Sequence, residues 1–452
     1  MMLPSLPSRV SLLRVILFWA AALGLCACGD KPRPGVAPKH VLMISVENFR
    51  GDHITWLGYD RHTTGLLRLD RPSVLDLDFL GEGGVSFSRA FSPSSDDEFS
   101  VASLLSGSLP ISGGGLMLYD VRPGSPSTLA EEFRDKGFLT GGFFNANSFS
   151  EVNASEGGFG RGFARSSFVE TDGEVLADSV AWLMEGRDPD ARYFTWLHLG
   201  GIRKPFVGRP FVDRFSAQNY AGPVKAVPAF FEKLEASEVG LNSEDRSRLV
   251  DLYDGQLLKT SELLNAFLFI YKTELSSGPL WGDTLIINVG TSGCELAENG
   301  GRVDVDDSLV DQGLNVPILM SHRRSMTGER ILGSVVELVD VSATLRDWFS
   351  LEPEGEPQGR SLLNLADTYV EKEYRPYPAL SFSSHAGKFN GYSLRSERWR
   401  LTEKGGEIKL FDLDVDPAGR RDVSRFYPQE LARLQVELEL RRAQLGLPAE
   451  RP

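Results

Sequence analysis

A chain of 452 residues, 41% hydrophobic and 24% charged, is long enough for a sizeable core and two lobes, with the composition of an ordinary soluble globular protein. Its formal net charge of −14 speaks against a nucleic-acid partner, because phosphate binding needs a positive footprint and the sequence shows none.

The first segment reads as a processing signal. Arg9 and Arg14 form a basic n-region ahead of an apolar run from Val15 to Ala27. That run, rising about 1.5 Å per residue, falls short of a ~30 Å hydrocarbon core, so residues 1–27 read as a signal peptide rather than a spanning helix. It ends in Leu25-Cys26-Ala27-Cys28-Gly29-Asp30, which resembles a bacterial lipoprotein box. Cys28, preceded by small Ala27, is the better acceptor than Cys26; ordinary secretory cleavage nearby is the alternative. The box implies membrane lipid as a partner through Cys28 and a place in the bacterial cell envelope, facing periplasm or exterior. Residues 28–38 add a Pro-rich linker, K-P-R-P-G-V-A-P over 31–38, between anchor and fold. Beyond it only Cys294 remains, so the mature chain holds no internal disulfide.

Val41-Leu-Met-Ile-Ser-Val46 is a continuous apolar run of strand length, as expected of a strand buried on both faces, and it ends in Glu47-Asn-Phe-Arg-Gly-Asp-His53. Polar residues at the carboxyl end of such a strand are where α/β proteins place ligand chemistry. A helix is expected over 72–80, a strand over 84–91, a turn from Pro93 to Gly107 leading into a helix near Ala102, a helix over 128–136 stopped by Gly137, and a strand over 138–145. A helix over 175–184, a strand over 193–199, a long helix over 243–272, strands over 284–289 and 316–320, and a helix over 336–348 follow. Alternating strands and helices predict a three-layer α/β/α fold with a large, mainly parallel sheet over residues 39–367. From 368 to 452 the texture changes. A strand over 392–402, a Gly405-Gly406 turn and a strand over 407–412 predict a small antiparallel subdomain closed by a helix over 428–445.

These segments resemble the arylsulfatase-like family of the alkaline phosphatase superfamily, in order and over nearly the whole chain beyond the linker. V-L-M-I-S-V-E-N-F-R-G-D-H (41–53), V-S-F-S-R-A-F-S (85–92), A-S-L-L-S-G (102–107), W-G-D-T-L-I-I (281–287), G-L-N-V-P-I-L (313–319) and L-F-D-L-D-V-D-P (410–417) carry the likeness. The resemblance implies a nucleophile at the 93–107 turn (a formylglycine made from cysteine, or a serine), a divalent metal, and cationic residues around the ester. Position by position, this chain departs from that pattern. Asp97 stands at the nucleophile, Phe99 at the following proline and Val101 at the arginine. Glu47 and Asn48 fill the first metal-ligand pair, Thr291 and Ser292 the second, and Asn299 a further histidine. Gly201 and Arg203 replace an aspartate and a histidine, and Asp306 and Asp307 fall near an expected basic residue.

Two facing carboxylates, Glu47 and Asp97, need a cation. Ca2+ held by Glu47, Asn48 and Asp97 oxygens is one solution, but hydroxyls at two of four ligand positions coordinate weakly. The preferred expectation is no cofactor, with Arg203 or Arg50 as the pocket cation, since a guanidinium can bridge carboxylates. His53 reads as a strand-end hydrogen-bonding residue before a catalytic one, and His198 as a core histidine. The main functional expectation is a sulfatase-like lipoprotein without sulfatase activity that binds or scaffolds a glycan or protein. The alternative is a sulfate- or phosphate-ester hydrolase with a rearranged site.

Overall fold

The computed structural model describes residues 37–446 apart from 66–75, 113–114, 117–125, 152–153, 186–187, 189, 217–219, 276–280, 305–306, 327–329, 355–357, 367–376 and 386–387. The expected signal peptide, Cys28, nearly all of the linker, the start of the helix from Pro72, Asp306 and the 367/368 boundary lie outside the described residues. Among the described residues no helix is long and apolar enough to cross a membrane.

The large sheet contains β1 (His40–Val46), β2 (Val85–Phe91), β3 (Phe138–Asn145), β4 (Arg165–Val169), β5 (Arg192–Leu199), β6 (Thr284–Gly290), β7 (Asn315–Ser321) and β8 (Arg330–Glu337), in the spatial order β8-β2-β7-β6-β1-β5-β3-β4. Only β7 runs antiparallel to its neighbours, so the sheet is mainly parallel. Pro317 lies where the β2/β7 ladder skips between Phe87 and Ala90, the kind of irregularity that tolerates a residue without an N–H. β1 is buried along its length, and its alternate residues feed opposite layers: Leu42, Ile44 and Val46 one, Val41 and Met43 the other.

The covering helices are α1 (Leu77–Gly83), α2 (Asp97–Ser106), α3 (Leu129–Asp135), α4 (Asp172–Glu185), α5 (Pro228–Glu235), α6 (Ser243–Ile270) and α7 (Val339–Phe349). Helices α1, α4, α5 and α6 pack Leu77, Leu183, Phe231 and Leu257 into the first layer. Helices α2, α3 and α7 pack Leu104, Phe133 and Leu345 into the second. The result is three layers, α/β/α, with the strand ends free to carry chemistry.

Two local expectations are corrected. The helix expected from Val336 starts at Val339, because residues 330–337 form β8; a bulge between Leu332 and Val335 hides the strand's alternation. The run 392–402 is not one strand but two, β10 and β11. They belong to a second, antiparallel sheet of β9 (Ala379–His385), β10 (Lys388–Arg395), β11 (Trp399–Lys404) and β12 (Glu407–Asp412). The β11–β12 turn holds Gly405 and Gly406 at φ +59° and +80°, a left-handed pair that suits glycine and matches the twist of a tight hairpin.

Helix α8 (Pro428–Gln444) closes this sheet with Leu434 and Leu438 against Leu394, Leu401 and Leu410. It is also tied to the large sheet. Arg441 Nη2 donates to both oxygens of buried Glu337 at 2.9 Å, and the Leu380 N–H adds a third bond to that carboxylate.

Candidate functional site

The carboxyl ends of β1, β3, β5 and β6 and the start of α2 converge on one cluster of mostly buried polar side chains. Asp96 caps α2 by accepting the Glu98 N–H, so the helix begins at Asp97, five residues earlier than its apolar run suggests. Acidic residues in a first helical turn suit the exposed N–H groups there. Asp97 thereby becomes the first helical residue and is 7% exposed.

Glu47 follows β1 directly and is 5% exposed. Its Oε1 accepts from Arg203 Nε at 2.6 Å, and its Oε2 accepts from Ser148 Oγ at 2.8 Å. Arg203 also donates from Nη1 to the Asn147 carbonyl, which fixes the guanidinium across the pocket. Asp97 Oδ1 accepts from Thr291 Oγ1, and Ser292 Oγ lies 3.0 Å from both Asp97 oxygens and 3.3 Å from Asn48 Oδ1. Ser292 has one hydroxyl hydrogen for these acceptors, and the Asn48 N–H donates back to its oxygen at 2.9 Å.

Asn48 sits at φ +55°, a left-handed conformation that asparagine tolerates better than most residues. Its Nδ2 donates to the Ile202 carbonyl and to Asp304 Oδ1, both at 2.8 Å. Its carbonyl accepts from Tyr253 OH at 2.6 Å.

The electrostatics follow from burial. Desolvation pushes the Glu47 carboxyl up to about 7, opposed by the charge and hydrogen bond of Arg203. Asp97 is pushed well above the usual carboxylate range by burial and then by the Glu47 charge, with Thr291 and Arg203 opposing. Two carboxyls facing one guanidinium balance its charge when they share one proton between them.

The structure brings Glu47, Asn48, Asp97, Thr291, Ser292 and Arg203 together. It does not bring Arg50, the other expected pocket cation. Arg50 is turned to Asp52 by two bonds of 2.9 and 2.7 Å, to Glu298 at 2.6 Å and to the Cys294 carbonyl at 2.9 Å, because those acceptors satisfy its planar fork on the far side of the loop. Val101 is a buried core residue of α2. Asp307 points to Arg302 and Lys404, and Asn299 Nδ2 reaches Gln312 at 3.5 Å; neither contacts this pocket. His53 pairs with Asp254 at 2.7 Å. His198 is buried, its Nδ1 2.9 Å from Ser45 Oγ, and desolvation drives its pKa down to about 3, as befits a neutral core histidine.

Three residues were missed from the sequence. Ser148 lies in the turn after β3, a strand end whose position was signal enough. Asp304, at φ +51°, holds Asn48, and only its nearness to Asp306 and Asp307 hinted at it. Asp172, from the start of α4, stands where a side chain at position 201 would sit. A Cβ on Gly201 would overlap its Oδ2, while its Oδ1 accepts from Asn145 Nδ2 at 2.8 Å and the Gly200 N–H at 3.0 Å.

The donor set does not fit a divalent cation. Both Glu47 oxygens are taken, Oε1 by Arg203 and Oε2 by Ser148, and the Asp97 oxygens accept from Thr291 and Ser292. Asn48 Oδ1, the amide atom able to ligate, lies 3.3 Å from Ser292 Oγ. A metal site needs open lone pairs converging on one point, and here donors and acceptors are already matched to each other. Among the described residues no group of three or more His, Cys, Asp or Glu side chains is arranged to hold a metal ion.

The family profile described as Sulfatase matches residues 39–351. Among solved structures the chain is similar to a phosphonate monoester hydrolase of Agrobacterium radiobacter, with TM-score 0.68 and 16% identity over 90% of this chain and 96% of that one. A 2-O GAG sulfatase matches with TM-score 0.67 and 18% identity, covering 91% of this chain and 93% of that one. A phosphonate monoester hydrolase from Silicibacter pomeroyi gives TM-score 0.65 and 17% identity over 90% and 95%. At these identities the likeness concerns the fold. No curated protein matches at a significant level.

Proposed function

This chain belongs to the sulfatase family, and we propose that it is a binding or scaffolding member that has lost formylglycine-dependent ester hydrolysis. What supports the reading is a single arrangement: Arg203 hydrogen-bonded to Glu47, and Thr291 and Ser292 to Asp97, where the family places a metal and a nucleophile. An aspartate cannot become formylglycine, and a hydroxyl nucleophile needs a base or metal beside it. Asp97 faces the Thr291 and Ser292 hydroxyls, the Glu47 carboxyl and the charge of Arg203, and burial pushes both carboxyls toward the neutral form, which is a poor base.

Arg203 is spent on Glu47 and the Asn147 carbonyl, so the site that remains suits a neutral or cationic group of a glycan or a protein partner better than a sulfate or phosphate. Cys28 anchors the protein to membrane lipid, and the linker holds the domain off the bilayer at the cell envelope. Loss of metabolically labelled lipid in Cys28→Ala tests the anchor.

Metal analysis of the purified protein, together with turnover of 4-nitrophenyl sulfate and 4-nitrophenyl phosphate, tests the function. No stoichiometric divalent ion and no turnover above that of Asp97→Ala are expected. One tightly bound ion with turnover that Asp97→Ala abolishes would establish the rearranged ester hydrolase instead.

A further inference from the structure

We propose that the cleft between the segment after β6 and the C-terminal sheet is a binding site for a small organic anion. The cleft measures about 340 Å³, within the ~300–1,000 Å³ range of small-molecule sites. Glu295, Arg302 and Asp307 line one wall, and Arg400, Lys404, Glu407 and Lys409 the other.

Its charge is not balanced internally. Asp307 is shared by two cations, Arg302 on Oδ1 and Lys404 on Oδ2 at 3.1 Å. Asp311, behind the wall, is shared in the same way by Arg395 and Arg400, each at 3.0 Å. The lining sets four cations against the three carboxylates of Glu295, Asp307 and Glu407, with Glu295 3.9 Å from Arg302 and Glu407 2.9 Å from Lys409; Asp311 and Arg395 behind it cancel, and one positive charge is left over in a chain whose net charge is −14. Arg400 is almost fully buried, where weak screening strengthens its attraction for an anion. It stacks 4.8 Å over Phe411, and its Nε has no partner among the described residues.

Arg302 and Lys404 are each 37% exposed along their side chains and can turn from Asp307 to an incoming group. A carboxylate or sulfate ester would accept charge-assisted bonds from both. Leu309 and Val310 offer apolar contact to the body of the ligand, which favours an organic anion over a bare ion. The cleft is separate from the pocket at Asp97, and the assignment holds whether or not that pocket hydrolyses esters.

Calorimetric titration of the folded protein at low ionic strength with glucuronate, glucose and inorganic sulfate tests the assignment. Glucuronate is expected to bind, glucose not to bind, and sulfate to bind more weakly than glucuronate. Lys404→Met and, at the more exposed rim, Lys409→Met should each weaken glucuronate at least threefold with the unfolding temperature preserved. Absence of glucuronate binding, equal binding of glucose, sulfate binding as tight as glucuronate, or affinity unchanged in both variants would overturn it.

Discussion

Arg203→Met should destabilise the protein far more where Glu47 is ionised than where it is protonated. Burial already raises the Glu47 carboxyl from an ordinary 4.5 to about 7 with Arg203 opposing the shift, and removing the cation raises it further. Below pH 7 the folded protein holds Glu47 protonated with or without Arg203, and the substitution costs one hydrogen bond, about 1 kcal/mol. Above pH 7 the wild-type carboxyl is ionised in both folded and unfolded states. The variant keeps its proton on folding while the unfolded chain does not, so its stability falls by about 1.4 kcal/mol per pH unit. At pH 8.5 the added loss is about 2 kcal/mol, an upper figure because Arg203 is 34% exposed and water screens the pair. Urea unfolding of wild type, Arg203→Met, Glu47→Gln and the double variant at pH 5.5 and 8.5 measures this coupling. It should be small at the lower pH and near 2 kcal/mol at the higher. Equal losses at both pH values, or additive losses at pH 8.5, would refute the guanidinium as the charge that makes Glu47 tolerable.

Further outcomes follow from the same contacts. Glu47 is held above its unfolded value, so wild-type stability should fall by about 3 kcal/mol as pH rises from 4.5 through 7, and Glu47→Gln should flatten that slope in thermal melts. Asp97→Asn, which keeps acceptors for Thr291 and Ser292 and removes a buried carboxyl beside Glu47, should raise the melting temperature at pH 8; a drop would show that the negative charge is needed there. Gly201→Ala should cost about 1–3 kcal/mol by overlap with Asp172, and Asp172→Ala in the same chain should recover part of it in urea midpoints. Arg441→Met should cost about 3 kcal/mol, because it leaves Glu337 buried without its cation, and limited proteolysis should cut the 379–446 region first.

The strands that the sequence revealed are those with an uninterrupted apolar run, such as Val41–Val46 and Thr284–Val289, where burial on both faces writes itself into composition. β8 escaped because Gly333 and Ser334 fall at its bulge, and β11 was fused to β10 because Ser396–Arg398 makes a turn without glycine or proline. The site was legible at strand ends, where Glu47, Thr291, Ser292 and Arg203 fall on motif positions. It was illegible where a side chain arrives from another element: Asp172 fills the space beside Gly201 from a helix start 29 residues earlier. Arg50 shows the converse. Nearness to Glu47 in sequence fixed nothing about direction, which Asp52, Glu298 and a carbonyl decided together.

The bond between Glu337 and Arg441 also bears on how the molecule is made. The two residues lie 104 positions apart, and the cation is among the last parts of the described chain to be synthesised. Glu337 ends β8, the strand at one edge of the large sheet, and its burial depends on that guanidinium. Removing the helix that carries Arg441 would leave that carboxylate without its cation and the edge of the large sheet hydrated and open to attack by a protease.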